Sequence, residues 1–486
     1  MTPVLFESFS DEHAKVLSDV FADAQWREAM ASGAVETARD CLISPPATRN
    51  VFKLPAEQLT RINGQAVQDM IAAGETDPER LLAALGTWPE SWPEHVPVVL
   101  SFLGLNLSLQ CDMQPRCLYC NQRPCEERMS LQDWKQVVRS VAPTEGEGAY
   151  IFITGGEPLL LGEDLWGAEG LVRAATESGA ACNVNTNGLA LTPCAALGLV
   201  SAGLSRIHVS LDTHVPQTQD IIYCKEGRWA QVVRGLLNLQ IAKALLGVEH
   251  PVIHINCVLN RLTAWEFPGF LSFLLGMKPL VDEGISRDLD MHLIPVGGQA
   301  NRHLRLGARE YEHFFTKVWA AADAVFQEYQ VARGLAEDQR GPLHEKVPFL
   351  SPYHRARQEG SLSEWAGRAA QGLPGALAMT RRCYVGPTQS FILPDGSQHW
   401  CGGHATSRPD PIGDVLKTSV PDNIRQHVGD MALLPGEHCR SCAGATLAIN
   451  QAVEVTLRQT IAQWLAGEEP AADAETDADA DEYAFE

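Results

Sequence analysis

From about residue 96 the chain alternates short apolar or β-branched runs with helix-length amphipathic stretches. The runs are VPVVLSFLGLNLSL (97–110), AYIFIT (149–154), ACNVNT (181–186), RIHVSL (206–211), PVIHINCVL (251–259) and DMHLIPV (290–296). Between them lie DWKQVVRSV, LVRAATESG, AQVVRGLLNLQIAKALLG and AWEFPGFLSFLLG. Strand-length runs separated by helices of this size predict βα units and a parallel sheet. About six such units predict an α/β fold, a partial (β/α)6 TIM-like barrel, with functional residues where strands end and loops begin.

The pattern also divides the rest of the chain. Residues 1–95 read as a helical, acidic N-terminal region that ends in the linker TWPESWPEHVP, and the barrel occupies 96–299. Residues 300–380 read as a helical insertion or lid, 381–450 as a small cysteine-rich domain, and 451–486 as a helix followed by an acidic tail. The closing GEEPAADAETDADADEYAFE has nine acids and no base, a composition with little to bury that predicts a solvated, disordered segment.

Composition narrows the class of function. A net charge of −22 excludes the basic footprint of a general nucleic-acid binder. No run approaches the roughly 18 uninterrupted apolar residues of a membrane helix, and MTPVLFESFSDEHAKV carries acids where a signal peptide needs bases. The expected location is therefore cytoplasmic, where thiols stay reduced. Seven of the thirteen cysteines fall into two groups, 111/117/120 and 383/401/439/442, which reads as metal or redox chemistry rather than a disulfide framework. The other six are scattered and suit burial as small apolar residues. Cys125, five positions after the first group, stands apart from them.

The first group, CDMQPRCLYC, has three thiolates spaced C-x5-C-x2-C. Two metal sites fit it: an iron–sulfur cubane with one open iron, or a zinc site completed by a fourth ligand such as Cys125. The surrounding segments discriminate. The cysteines follow the first predicted strand, GGEP (155–158) the second, NTNG (185–188) ends the third, and SLD (210–212) ends the fourth, so all four fall on one rim.

With Tyr119 before the last cysteine, GGEPLL, NTNG, SLDT, and HINCVLN followed by Glu266, residues 98–296 resemble the radical S-adenosylmethionine (SAM) superfamily. The resemblance implies a [4Fe–4S] cluster on Cys111, Cys117 and Cys120 whose open iron takes SAM. Gly155 and Gly156 would let the backbone approach the methionine end of SAM, and Glu157 would accept from its ammonium. Asn185, Ser210 and Asn256 would hold its carboxylate and ribose. The implied chemistry is reductive cleavage to a 5′-deoxyadenosyl radical that abstracts hydrogen from an unreactive C–H bond, with a reductant such as flavodoxin or ferredoxin. The sequence departs from the family's usual C-x3-C-x2-C by two residues in the first interval, an insertion a loop can close at small entropic cost.

The second group reads as a hairpin, CYVGPTQSFILPDGSQHWC, followed by the knuckle CRSC. Four such thiolates suit a zinc ribbon or a second cubane. Cys383, Gly396, Cys401, Cys439 and Cys442 in this order resemble the auxiliary-cluster extensions called SPASM and twitch domains, without the later cysteines of a full SPASM domain. The resemblance implies a second [4Fe–4S] cluster that, fully ligated by cysteine, suits electron transfer and so net oxidation.

Candidate catalytic groups are His208, His254 and His292, on three consecutive strands, and Tyr384, beside an auxiliary cysteine. His399 and Trp400 are further candidates for the cavity wall. The leading reading is a radical SAM oxidoreductase acting on a peptide precursor or natural product by cross-linking or dehydrogenation. A radical SAM dehydrogenase or epimerase for an amino sugar or amino acid is the alternative, and a non-catalytic iron–sulfur or zinc scaffold is the alternative of another class.

Overall fold

The structure, a computed structural model, describes residues 24–47, 53–120, 122, 125–142, 149–281, 291–296, 301–347, 350–371, 383–407, 410–433 and 445–468. The six apolar runs form strands β1 Phe102–Asn106, β2 Tyr150–Thr154, β3 Cys182–Thr186, β4 Arg206–Ser210, β5 Val252–Leu259 and β6 Met291–Pro295. They pair in sequence order, every pair parallel, so the sheet is an open, partial barrel. Three further strands, β7 Gln389–Ile392, β8 Ser397–His399 and β9 Gly413–Asp414, follow along the chain.

Alternation along the strands separates two faces. Leu103, Leu105, Ile151, Ile153, Val184, Ile207 and Val209 are buried in the hydrophobic core, and residues such as Asn106, Thr154, Asn185 and Ser210 face the cavity on the concave side. Helices between the strands begin where the sequence caps them. Ser130 and Asp133 form a reciprocal capping box for Leu131–Ser140, and Thr192 accepts from the Ala195 N–H ahead of Pro193–Ser201, each worth on the order of 1 kcal/mol.

The hairpin of the second cysteine group is part of this sheet rather than a separate layer. β7 runs parallel to β1, with Phe102 opposite Gln389 and Leu105 opposite Ile392, and β8 and β9 continue it antiparallel. Gly104 makes the contact possible, because a Cβ there would enter the Phe391 ring. Cys383 and Cys401 flank the hairpin. Cys439, Cys442 and the acidic tail beyond Glu468 lie outside the described residues.

The N-terminal helices pack on the barrel and on the last helix. The Trp26 indole N–H donates to Asn238 on the helix Arg228–Leu246, and Gly64 lies against the Trp464 ring. Arg458 pairs with Glu79 at 2.7 Å. Residues 301–371 carry the helices Ala308–His313, Trp319–Ala332, Ser351–Gln358 and Leu362–Ala370, around an aromatic cluster of Phe315, Trp319 and Tyr353. No helix among the described residues is long and apolar enough to cross a membrane.

Candidate active site

A cavity of about 460 Å³ opens at the carboxyl ends of the strands. Its wall includes Cys111, Cys117 and Cys120, together with Gly155, Gly156, Asn185, Ser210 and Asn256. The structure thus gathers eight of the residues singled out in the sequence around one space. Cys125 also lines it, as do Phe391 and Leu393 of the β7 segment.

The loop bearing the cysteines is pinned by its backbone to the GGEP turn. Beyond the strand ends, Leu107 N–H donates to Thr154 O at 3.0 Å, Gly156 N–H to Ser108 O at 2.6 Å and Glu157 N–H to Gln110 O at 2.7 Å. A Cβ on Gly156 would overlap the Gln110 backbone, and one on Gly155, at φ +143°, would lie 2.5 Å from Ser108 O. The two glycines therefore admit the cysteine loop itself. Glu127, absent from the sequence reading, completes the anchor: its carboxylate accepts from Leu109 N–H at 2.7 Å and from the Ser108 hydroxyl. A lone acid in a loop gives no periodic or motif signal.

Glu157 is 2% exposed and its carboxylate accepts from Leu159 N–H at 3.0 Å, Thr186 Oγ1 at 2.6 Å and Asn187 N–H at 2.7 Å. Burial pushes its carboxyl up to about 7, with the three hydrogen bonds pulling the other way. These bonds lock the GGEP turn to NTNG. Asn187 in turn donates to Asp112 at 2.6 Å, beside Cys111. The side chain sequence reasoning assigned to the ammonium of SAM is thus engaged by three protein donors.

A second tether holds the other end of the cysteine loop. Tyr119 Oη donates to Asp212 Oδ2 at 2.7 Å, and the other oxygen of Asp212 accepts from Val258 N–H at 2.6 Å. Leu118 N–H donates to Ile222 O and the Asn301 amide donates to Tyr119 O, both at 2.9 Å. Burial pushes Asp212 up to about 6. Burial, reinforced by Asp212 and the neighbouring thiols, pushes Cys117 up to about 12. A cysteine in that setting stays a thiol unless a cation such as an iron centre stabilises its thiolate.

The remaining candidates lie elsewhere. His208, His254 and His292 are buried in the barrel interior, two positions below Ser210 and Asn256 on β4 and β5 and at the start of β6. Tyr384 is buried, its ring against Gly86 and its N–H bonded to Asn450 at 2.7 Å. Tyr384 is outside the cavity wall because this packing turns it into the core. His399 lies 3.1 Å from His404 through their Nδ1 atoms, behind Cys401.

The donor set suits the cofactors the rim implies. Three thiols converge on the cavity, and the buried Asn106 Oδ1 and Asn256 Oδ1, both on its lining residues, accept no hydrogen bond among the described residues. A ligand with an ammonium and ribose hydroxyls can satisfy both oxygens.

The match to a family model agrees with this geometry. Residues 105–274 match the family model described as Radical SAM superfamily. The chain is 29% identical to GTP 3′,8-cyclase of Synechococcus sp. (strain WH7803) over 313 residues, 62% of this chain and 79% of that protein. It is 24% identical to AdoMet-dependent heme synthase of Nitratidesulfovibrio vulgaris over 64% of this chain and 75% of that one. Among solved structures, Streptococcus suis SuiB bound to precursor peptide SuiA aligns with a TM-score of 0.44 at 14% identity, over 67% of this chain and 64% of SuiB. Native anSMEcpe with bound AdoMet aligns at 0.47 and 16%, over 72% and 87%. The three cysteines, the GGEP turn and the strand-end polar groups on one rim of an open parallel barrel all lie within or beside the segment 105–274 that matches the Radical SAM superfamily model.

Proposed function

We propose that this radical SAM enzyme removes hydrogen from a peptide or natural-product substrate carrying little negative charge, with net oxidation. Cys111, Cys117 and Cys120 would hold the [4Fe–4S] cluster, and Asn185, Ser210 and Asn256, with Asn106, the polar groups of SAM. Together these cofactors supply, when bound, a 5′-deoxyadenosyl radical able to abstract hydrogen from carbon.

The chain's own residues orient and enclose. The Glu157–Asn187–Asp112 and Tyr119–Asp212 tethers fix both ends of the cysteine loop, so the thiols meet the cavity in a set arrangement. Phe391 and Leu393 give one wall an apolar surface that excludes water.

The observation that carries the reading is the shared wall. β7 pairs with β1, the strand that leads into Cys111, and the hairpin flanked by Cys383 and Cys401 borders the same cavity through Phe391 and Leu393, joined by Ala405 and Thr406 of the helix Gly402–Ser407 that follows Cys401. Net oxidation needs an electron acceptor near the substrate. Cys383 and Cys401, with Cys439 and Cys442, are the donor set for such a second cluster.

Charge argues against a nucleoside triphosphate, despite the similarity to GTP 3′,8-cyclases. Arg116 is the only cationic side chain lining the cavity among the described residues, whereas triphosphate sites concentrate Lys, Arg or metal. An amino sugar or amino acid meets the same charge criterion and is the second reading.

The test is anaerobic reconstitution followed by reduction with dithionite in the presence of SAM. About eight irons per chain and 5′-deoxyadenosine that takes up deuterium from a labelled peptide or metabolite support the proposal. About four irons per chain with 5′-deoxyadenosine still formed removes the auxiliary cluster and keeps the radical SAM reaction. GTP-dependent stimulation of SAM cleavage above that given by peptides would reject the substrate class.

A further inference from the structure

One polar cluster in the barrel has no part in the proposed reaction. His208, His254 and His292 are 2%, 0% and 3% exposed, and each offers a ring nitrogen within 4.8 Å of those offered by the other two. Their rings meet at 4.6–5.3 Å between centroids with interplanar angles of 41–85°, so no two of them are stacked face to face. Parallel-strand interiors are ordinarily apolar, and three imidazoles converging there require a reason.

We propose that His208, His254 and His292 bind one divalent first-row transition ion, of which Zn²⁺ is the representative, beneath the radical SAM cavity. Imidazole is the donor for such ions, and three histidines with a fourth position left to water or substrate are an established zinc arrangement. Nitrogens at about 2.0 Å from a tetrahedral ion are some 3.3 Å apart, so the rings need to move by only about 1 Å. Deep burial disfavours imidazolium and keeps His208 well below its ordinary range, helped by His292 and Arg206; the neutral ring is the form that ligates.

The cluster also has the outer support that ligating histidines require. The Asn183 side-chain amide lies 3.0 Å from His208 Nε2 and 2.6 Å from Tyr150 Oη. With the amide oxygen turned to this side, it accepts from both Nε2–H and the Tyr150 hydroxyl, and the two amide orientations have the same shape. His208 is then the tautomer whose Nδ1 lone pair is available to an ion. Arg206 on the same strand opposes a dication. A charge-neutral His₃ set therefore favours an anionic fourth donor, such as hydroxide or a substrate carboxylate. Ser210 and Asn256 of the cavity wall stand two residues above His208 and His254 on their strands, so the ion would sit below the floor of the cavity.

The experiment uses the full chain with its iron–sulfur clusters already reconstituted, which occupies the cysteines, followed by addition of Co²⁺ or Zn²⁺ and removal of excess by gel filtration. The expected result is one added ion per chain above the iron. Co²⁺ should give visible d–d absorption without thiolate charge transfer, and Zn absorption fine structure should show a nitrogen shell at about 2.0 Å with imidazole scattering. His254→Gln should lower the affinity at least 10-fold, with cluster absorbance and melting temperature as controls for folding. Asn183→Leu, which touches only the outer support, should lower it by about 10–100-fold. No added ion in the wild type, a sulfur shell at about 2.3 Å, or uptake unchanged in both variants overturns the site. The wild-type spectrum decides the matter alone if His254→Gln does not fold. Because metal uptake is read without SAM cleavage, its failure leaves the proposed function standing, and the reverse also holds.

Discussion

Gly156→Ala is the substitution that separates two roles for the GGEP turn. The added methyl would meet the Gln110 carbonyl and the Leu109 backbone, with no flexible side chain to give way. Gly156 is not among the positive-φ residues, so contact rather than backbone strain sets the effect. Separating the turn from the cysteine loop breaks two backbone hydrogen bonds, Gly156 to Ser108 and Glu157 to Gln110, at about 1 kcal/mol each. Forcing a methyl into a filled space adds about 1–3 kcal/mol. The sum, roughly 3–5 kcal/mol, is at the upper end of single-substitution effects. It should appear as loss of urea stability in the cluster-free protein and as reduced iron retention after reconstitution. Gly367→Ala is the control, because a Cβ there meets nothing within 4 Å and the position is helical; it should be neutral or stabilise by up to about 1 kcal/mol. If Gly156→Ala unfolds like wild type, keeps its iron and loses only SAM affinity, the glycine serves the ligand's approach and the backbone argument is refuted.

Further outcomes follow from the two tethers. Glu157→Gln places an amide N–H against a protein donor whichever way it turns, and should destabilise the cluster-free protein by about 1–3 kcal/mol at pH 8, above the raised value of about 7, where the wild-type carboxyl is ionised and only accepts; an unchanged urea midpoint with weakened SAM binding would instead assign the carboxylate to the ligand. Tyr119→Phe removes the hydroxyl that donates to buried Asp212 and should cost about 1.5–3 kcal/mol, with a changed electron paramagnetic resonance signal of the reduced cluster as the readout at the site. Asp212 has a folded pKa raised from 3.8 to about 6, so its protonated form is favoured by folding. Its stabilisation is fully present below pH 3.8 and is lost as pH rises through about 6. The difference in unfolding free energy between wild type and Asp212→Asn should therefore shrink across that window, as measured by urea titration at successive pH values; a difference that grows with pH contradicts the buried-acid assignment.

The barrel was legible because parallel strands buried on the helix side carry continuous apolar runs, and each of the six runs contains its strand. The rim was legible because glycine pairs, paired asparagines and clustered thiols are rare at strand ends. What escaped was long-range. Nothing near residue 391 announces that Phe391 fills the space left by Gly104 nearly three hundred residues earlier, so the β7–β1 pairing was invisible and the hairpin read as a separate region. Glu157 was found as a residue, but two of its three donors, Thr186 and Asn187 at the end of β3, come from a segment that only the fold brings beside it. Tyr384 sits next to a cysteine in sequence, yet its partners Gly86 and Asn450 come from distant helical segments. The three histidines were individually visible on their strands, and their convergence depends on a stagger that local pattern does not encode.

The proposed function requires the rim of this barrel to hold SAM on a cluster ligated by Cys111, Cys117 and Cys120. Its most direct test is 5′-deoxyadenosine formation from SAM by the anaerobically reconstituted, dithionite-reduced protein, compared with Cys117→Ala. The expected result is turnover in the wild type that requires dithionite and is abolished in the variant. A wild-type protein that binds zinc at these thiols and leaves SAM intact would contradict it.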